Sequence, residues 1–123
     1  QCLSALITDI YERNLDRKIM VCVVGEFGRT PKIRTGAPNN SVGRDHWPQA
    51  YTALVSGGGM RMGQVIGATN SKGEYPTQRP TTPQDLLSTI YHHLGIDDHA
   101  TIPDFFGRPV HILPHGQPIR ELL

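Results

Sequence analysis

The sequence is short of several things, and each shortage narrows what the chain can do. It has no continuous apolar run of the ~18 residues that a membrane-crossing helix needs. Cysteine is scarce: only Cys2 and Cys22 occur. That excludes a disulfide framework, and their spacing is not the C-x-x-C of a metal or redox pair. An excess of one charge is also missing. Lys+Arg 12 against Asp+Glu 11 leave a formal net charge of +1, which removes the global electrostatic case for nucleic acid or an anionic membrane as partner. No basic-then-apolar leader follows Gln1, and no repeat of fixed period runs through the chain. What is plentiful is glycine and proline, Gly 13 and Pro 10, scattered as punctuation rather than gathered in a tract. With 37% hydrophobic and 19% charged residues, the composition fits a folded chain rather than a disordered one. A length of 123 residues fits one domain or a part of a larger one.

Apolar residues Leu3, Leu6, Ile7, Ile10 and Tyr11 recur at helical spacing, which predicts an amphipathic helix over about residues 2–13, stopped near Asn14. The unbroken run from Ile19 to Val24 reads as a buried strand in a covered sheet, with Cys22 as a small core residue. Further strands are expected at 51–55 and, at an edge, 64–68. Gly57, Gly58 and Gly59 read as a tight turn, since their spacing matches no nucleotide-binding motif. The clearest element is a second helix. Thr82 is placed to cap it, Pro83 suits its first position, Asp85 lies three after the cap, and Gly95 closes it. A strand is also possible at 109–113, after an apolar loop at 102–106. Helix, buried strand, then helix again point to an α/β layer architecture.

Two polar clusters stand out, both at strand ends. Gly25-Glu26-Phe27-Gly28-Arg29-Thr30-Pro31 puts an acid directly after a buried strand, where α/β sheets present ligands. Gly43-Arg44-Asp45-His46-Trp47-Pro48 sets a carboxylate beside an imidazole, two good donors for a divalent ion. The arginines next to them suit an oxyanion. Between the clusters, residues 28–49 read as a long loop with Arg29, Lys32, Arg34 and Arg44 against Asp45 alone. Such a loop is either an anion site or an ordinary solvated loop, and Glu26 either joins a site or simply pairs with Arg29 or Arg44. The five histidines other than His46 lie without metal-ligand spacing, and His92 and His93 are explained by a helix C-terminus.

The strings GEFGRTP, GRDHWP, GGGM, GQVIGAT and RPTTPQDLLSTIYHHLGI together resemble a bacterial family of uncharacterised, sulfatase-related proteins in the alkaline phosphatase superfamily. The resemblance runs from Leu3 to Leu123. It implies an α/β fold, the C-terminal part of an alkaline-phosphatase-like domain, with a mixed sheet flanked by helices. Residues 1–123 would then be a portion of a longer protein. It also implies a divalent metal ion (zinc, manganese or calcium) held by Glu26, Asp45 and His46, an anionic phosphate or sulfate ester as substrate, and Arg29 and Arg44 on its oxyanion.

This chain departs from the superfamily's pattern in two ways. Phe27 stands where a metal-binding histidine is expected, and no residue matches the nucleophile, so the chain alone is expected to be inactive. A non-catalytic binding or structural protein that keeps the fold is the competing expectation. The resemblance allows an exported or periplasmic location. A sheet left with an open edge would favour homo-oligomers, and neither nucleic acid nor membrane is expected as a partner.

Overall fold

The computed structural model describes residues 1–36 and 42–123. Part of the long loop expected at 28–49 therefore lies outside the described residues. The element order is α1 (Cys2–Glu12), β1 (Met20–Val23), β2 (Gly28–Arg29), β3 (His46–Trp47), β4 (Leu54–Gly57), β5 (Ala68–Thr69), β6 (Pro76–Gln78), α2 (Pro83–Leu94), β7 (Thr101–Pro103) and β8 (Pro109–His111). This is a small mixed α/β arrangement. Its strands do not merge into one mixed sheet among the described residues; they form four antiparallel pairs, β1 with β4, β2 with β3, β5 with β6 and β7 with β8.

Both helices follow their sequence signals. α1 ends at Glu12, and Asn14 takes a left-handed φ of 55° just beyond it. At the start of α2 the Thr82 hydroxyl accepts from the Asp85 N–H at 3.2 Å, while the Asp85 carboxylate accepts from the Thr82 N–H at 2.7 Å. Gly95 closes the helix in the left-handed region, and Ile96 reaches back to the Tyr91 carbonyl at 2.9 Å. The Asp85 carboxyl lies below its usual range: partial burial works against this, but backbone N–H groups of Thr82 and Gln117 outweigh it.

β1 pairs with β4 in the register Met20 to Gly57 through Val23 to Leu54. It is half-buried rather than covered, and Val23 and Val24 are 42% and 53% exposed. Burial pushes the Cys22 thiol up, away from the reactive thiolate. β4 begins three residues later than the pattern predicts. The Gly58 and Gly59 N–H groups bond the Ile19 and Asp16 carbonyls, so these amides tie a turn rather than cradle a phosphate. The edge strand expected at 64–68 reduces to Ala68–Thr69. Gln64 instead gives its side-chain N–H₂ to the carbonyls of Arg61 and Glu121 at 2.9 and 2.7 Å, which draws this segment toward the C-terminal tail.

Among the described residues, the buried hydrophobic ones are Ile10, Leu113, Ile119 and Leu122. Three of them belong to the tail, so the core lies where residues 113–122 meet α2. Ser88 and Thr89, both fully buried, satisfy their hydroxyls there. Ser88 donates to Asp98, and Thr89 donates to the Asp85 carbonyl at 2.7 Å while accepting the Ile119 N–H at 2.9 Å.

Outside the core the tail is fastened by Arg79, whose fork meets both Glu121 carboxylate oxygens at 2.6 and 2.9 Å. That pair holds the Glu121 carboxyl at about 2, below its ordinary 4.5. A depressed carboxyl contributes stability that is present above the unfolded value and lost as pH falls through the folded one. The tail anchor should therefore weaken between pH 4.5 and about 2. Thermal melts across that window should show a steeper loss for the native chain than for Glu121→Gln. Parallel curves would remove the pair from the acid response. The pair is exposed, so salt should shrink the difference.

Candidate functional site

The two polar clusters meet. Gly28 lies opposite Trp47 and Arg29 opposite His46 in the β2–β3 ladder, and the pairing continues where the Thr30 N–H donates to the Asp45 carbonyl at 3.0 Å. The Asp45 N–H returns a bond to the Thr30 hydroxyl at 3.1 Å. An isolated bridge between Arg34 and Gly43 extends the approach. The segments read as one loop are thus two short antiparallel strands and their extension, closing on either side of residues 37–41.

Close approach explains one sequence choice here. A Cβ on Gly28 would lie 1.9 Å from the Ala50 carbonyl oxygen and 3.1 Å from that of Trp47. Only a residue without a side chain lets the strand pass.

Side chains alternate across a strand, so the ladder has two faces. On one, Phe27 and Arg29 share a side with His46. The Phe27 and His46 rings stack at 3.9 Å between centroids, 30° apart in plane, and the Arg29 guanidinium sits 5.6 Å from the Phe27 ring centre. On the other, Trp47 is half-buried. Its indole N–H donates to the Glu74 carbonyl at 2.7 Å, and its ring lies 5.7 Å from that of Tyr75. Glu74 is itself fixed, its carboxylate accepting from Asn70 at 3.0 Å and its N–H donating to the Asn70 side chain at 2.8 Å.

The expected site residues are divided by this geometry. Arg29 and His46 are brought together as a cross-strand pair. Arg44 precedes them in an exposed position. Asp45, one residue from His46, belongs to the opposite face and pairs with Arg34 at 3.4 Å. Glu26 lines a separate open groove of about 740 Å³, with Tyr51, Gln64, Arg79, Thr82 and Leu122. Among the described residues, no ion pair joins Glu26 to Arg29 or Arg44, and no three His, Cys, Asp or Glu side chains gather as metal ligands. Glu26 thus lines the groove, Asp45 pairs with Arg34 and His46 stacks on Phe27.

Sequence reasoning missed Thr30, Trp47, Asn70 and Glu74, which brace the ladder from behind. The available signal was the period of two that sets Phe27 with Arg29.

Among the described residues, two helices and four short antiparallel ladders, one with a cationic and aromatic face, make a small mixed α/β arrangement. The chain belongs to the family described as protein of unknown function (DUF1501), whose model matches residues 1–123. No curated protein and no solved structure matches it.

Proposed function

We propose that the β2–β3 ladder is one wall of a site for phosphate or sulfate esters, in a longer protein of the sulfatase-related branch of the alkaline phosphatase superfamily. The observation that carries this reading is the pairing of Arg29 with His46, which unites two of the strings that carry the resemblance. Arg29 and Arg44 bind and orient the oxyanion through planar forks that match its oxygens. His46 is held by stacking, and stacking covers the face of an imidazole while leaving its in-plane nitrogens open to a proton or a ligand atom.

A divalent ion such as zinc, manganese or calcium does not fit these residues by themselves. A closed site needs three or four ligands, Asp45 is engaged by Arg34 at 3.4 Å, and Glu26 faces the groove. In this reading the metal, if the longer protein uses one, takes at most His46 from the ladder. The nucleophile likewise comes from elsewhere in that protein.

The test is a titration of inorganic sulfate and phosphate at two ionic strengths. Arg44→Gln should cost about 1.5–3 kcal/mol, the range for a hydrogen bond to a charged group. Arg34→Gln should weaken binding only slightly and mainly at low salt. Equal small losses for both variants would reduce the ladder to a basic surface and end the reading.

A second reading has its own observation. The Phe27 ring on His46 at 3.9 Å is an aromatic platform that a non-catalytic binding protein would also use. Ester hydrolysis by the full-length protein, lost in His46→Ala, favours the first. Anion binding without hydrolysis under any divalent ion favours the second.

A further inference from the structure

The other face of the ladder carries a feature that the ester reading does not use. An open cleft of about 580 Å³ is lined by Thr30, Pro31, Lys32, Trp47, Lys72 and Glu74. That size lies within the range of small-molecule sites. Its aromatic element is fixed in advance: the Trp47 N–H is already taken by the Glu74 carbonyl at 2.7 Å, so the indole offers a ring surface and no free donor. Its two cations come from separate segments, Lys32 from the stretch after β2 and Lys72 from the turn between β5 and β6. The acid lining it, Glu74, has its carboxylate drawn to Asn70 at 3.0 Å. The cleft therefore combines a locked aromatic surface with two exposed ammonium groups and one partly satisfied carboxylate.

We infer that this cleft binds a planar aromatic ring carrying a phosphate, the chemistry of a nucleoside monophosphate. A flat heteroaromatic ring stacks on the indole, an interaction that every base offers and that needs no donor from tryptophan. A phosphate carries about −1.5 to −2 at neutral pH, which suits two lysines better than a single carboxylate would. Neither Arg29, Arg44 nor His46 lines this cleft.

Trp47 is the chain's single tryptophan (Trp 1), so its emission reports on this cleft without interference. The experiment titrates the 123-residue chain with AMP, adenosine and inorganic phosphate in separate arms, reading Trp47 fluorescence, with calorimetry in parallel so that a silent indole does not hide binding. AMP should quench saturably, and adenosine and phosphate should each bind about tenfold or more weakly, because each keeps only the stacking or only the charge contacts. Lys32→Gln with Lys72→Gln, checked for folding by circular dichroism, should lower AMP affinity about tenfold while leaving adenosine unchanged. Arg13→Gln, which removes a cation paired only to Asp9 at the end of α1, should leave the AMP titration unchanged. Absence of saturable AMP binding by both readouts would overturn the inference. So would phosphate quenching Trp47 as tightly as AMP does, an unaltered double lysine variant, or an Arg13→Gln variant that loses AMP equally.

Discussion

Gly28→Ala will open the β2–β3 ladder. The added methyl would stand 1.9 Å from the Ala50 carbonyl oxygen and 3.0 Å from its carbon, and these are backbone atoms that cannot rotate aside. Either β2 moves away from β3 or the segment after β3 moves away from both. Overpacking of this kind costs about 3 kcal/mol at the upper end of its usual range. Because Trp47 pairs directly with Gly28, the damage should appear in two signals together: a lower melting temperature and a red-shifted, more solvent-exposed Trp47 emission. A chain that melts and emits as before would show that Ala50 does not crowd the ladder.

The second large effect is expected at Thr89→Val. The two side chains are nearly the same size, so packing is retained while the hydroxyl is lost. That hydroxyl is fully buried and links α2 to the tail, donating to the Asp85 carbonyl at 2.7 Å and accepting from the Ile119 N–H at 2.9 Å. Its removal leaves the Ile119 N–H buried without a partner, at a cost of about 1–3 kcal/mol. Thr89→Ser keeps the oxygen and loses only a methyl, so it should recover most of the loss. Denaturant midpoints of the three proteins decide the matter. If the serine variant is the weaker of the two, methyl packing rather than the hydroxyl holds the tail.

The helices were legible because their signals are local. Thr82, Pro83, Asp85 and Gly95 each act within one turn of the residues they specify, and all four do what their types predict. β1 was legible as a strand from its β-branched run, but not its partner or its exposure, since those depend on residues more than thirty positions away. The small ladders were harder. β5–β6 and β7–β8 contain two or three residues per strand and no apolar alternation. The first is held around its turn by Asn70 and Glu74. The second is held by Asp104, which accepts from Phe106 and Arg108 N–H groups at 2.8 and 2.9 Å and pairs with the Arg108 side chain.

The candidate site shows the same division. The residue types in Glu26–Pro31 and Arg44–Pro48 were readable as chemistry, and the contact between the segments came only with the register. Asp45 and His46 look like a donor pair in sequence. On a strand, neighbours point apart, and here Asp45 joins Arg34 while His46 joins Phe27.

The β1–β4 ladder is two strands wide among the described residues, with Val23, Val24 and Leu54 each more than 40% exposed. A strand with an unpaired border is a template, because its outward N–H and C=O groups are spaced to receive any extended chain laid alongside. Colloidal behaviour should follow from this geometry. Scattering from the 123-residue chain should rise with concentration, and screening salt should not suppress it, since the attraction is hydrogen bonding and apolar contact rather than charge. A lysine placed on that border, as in Val23→Lys, should keep the solution clear at concentrations where the native sequence scatters.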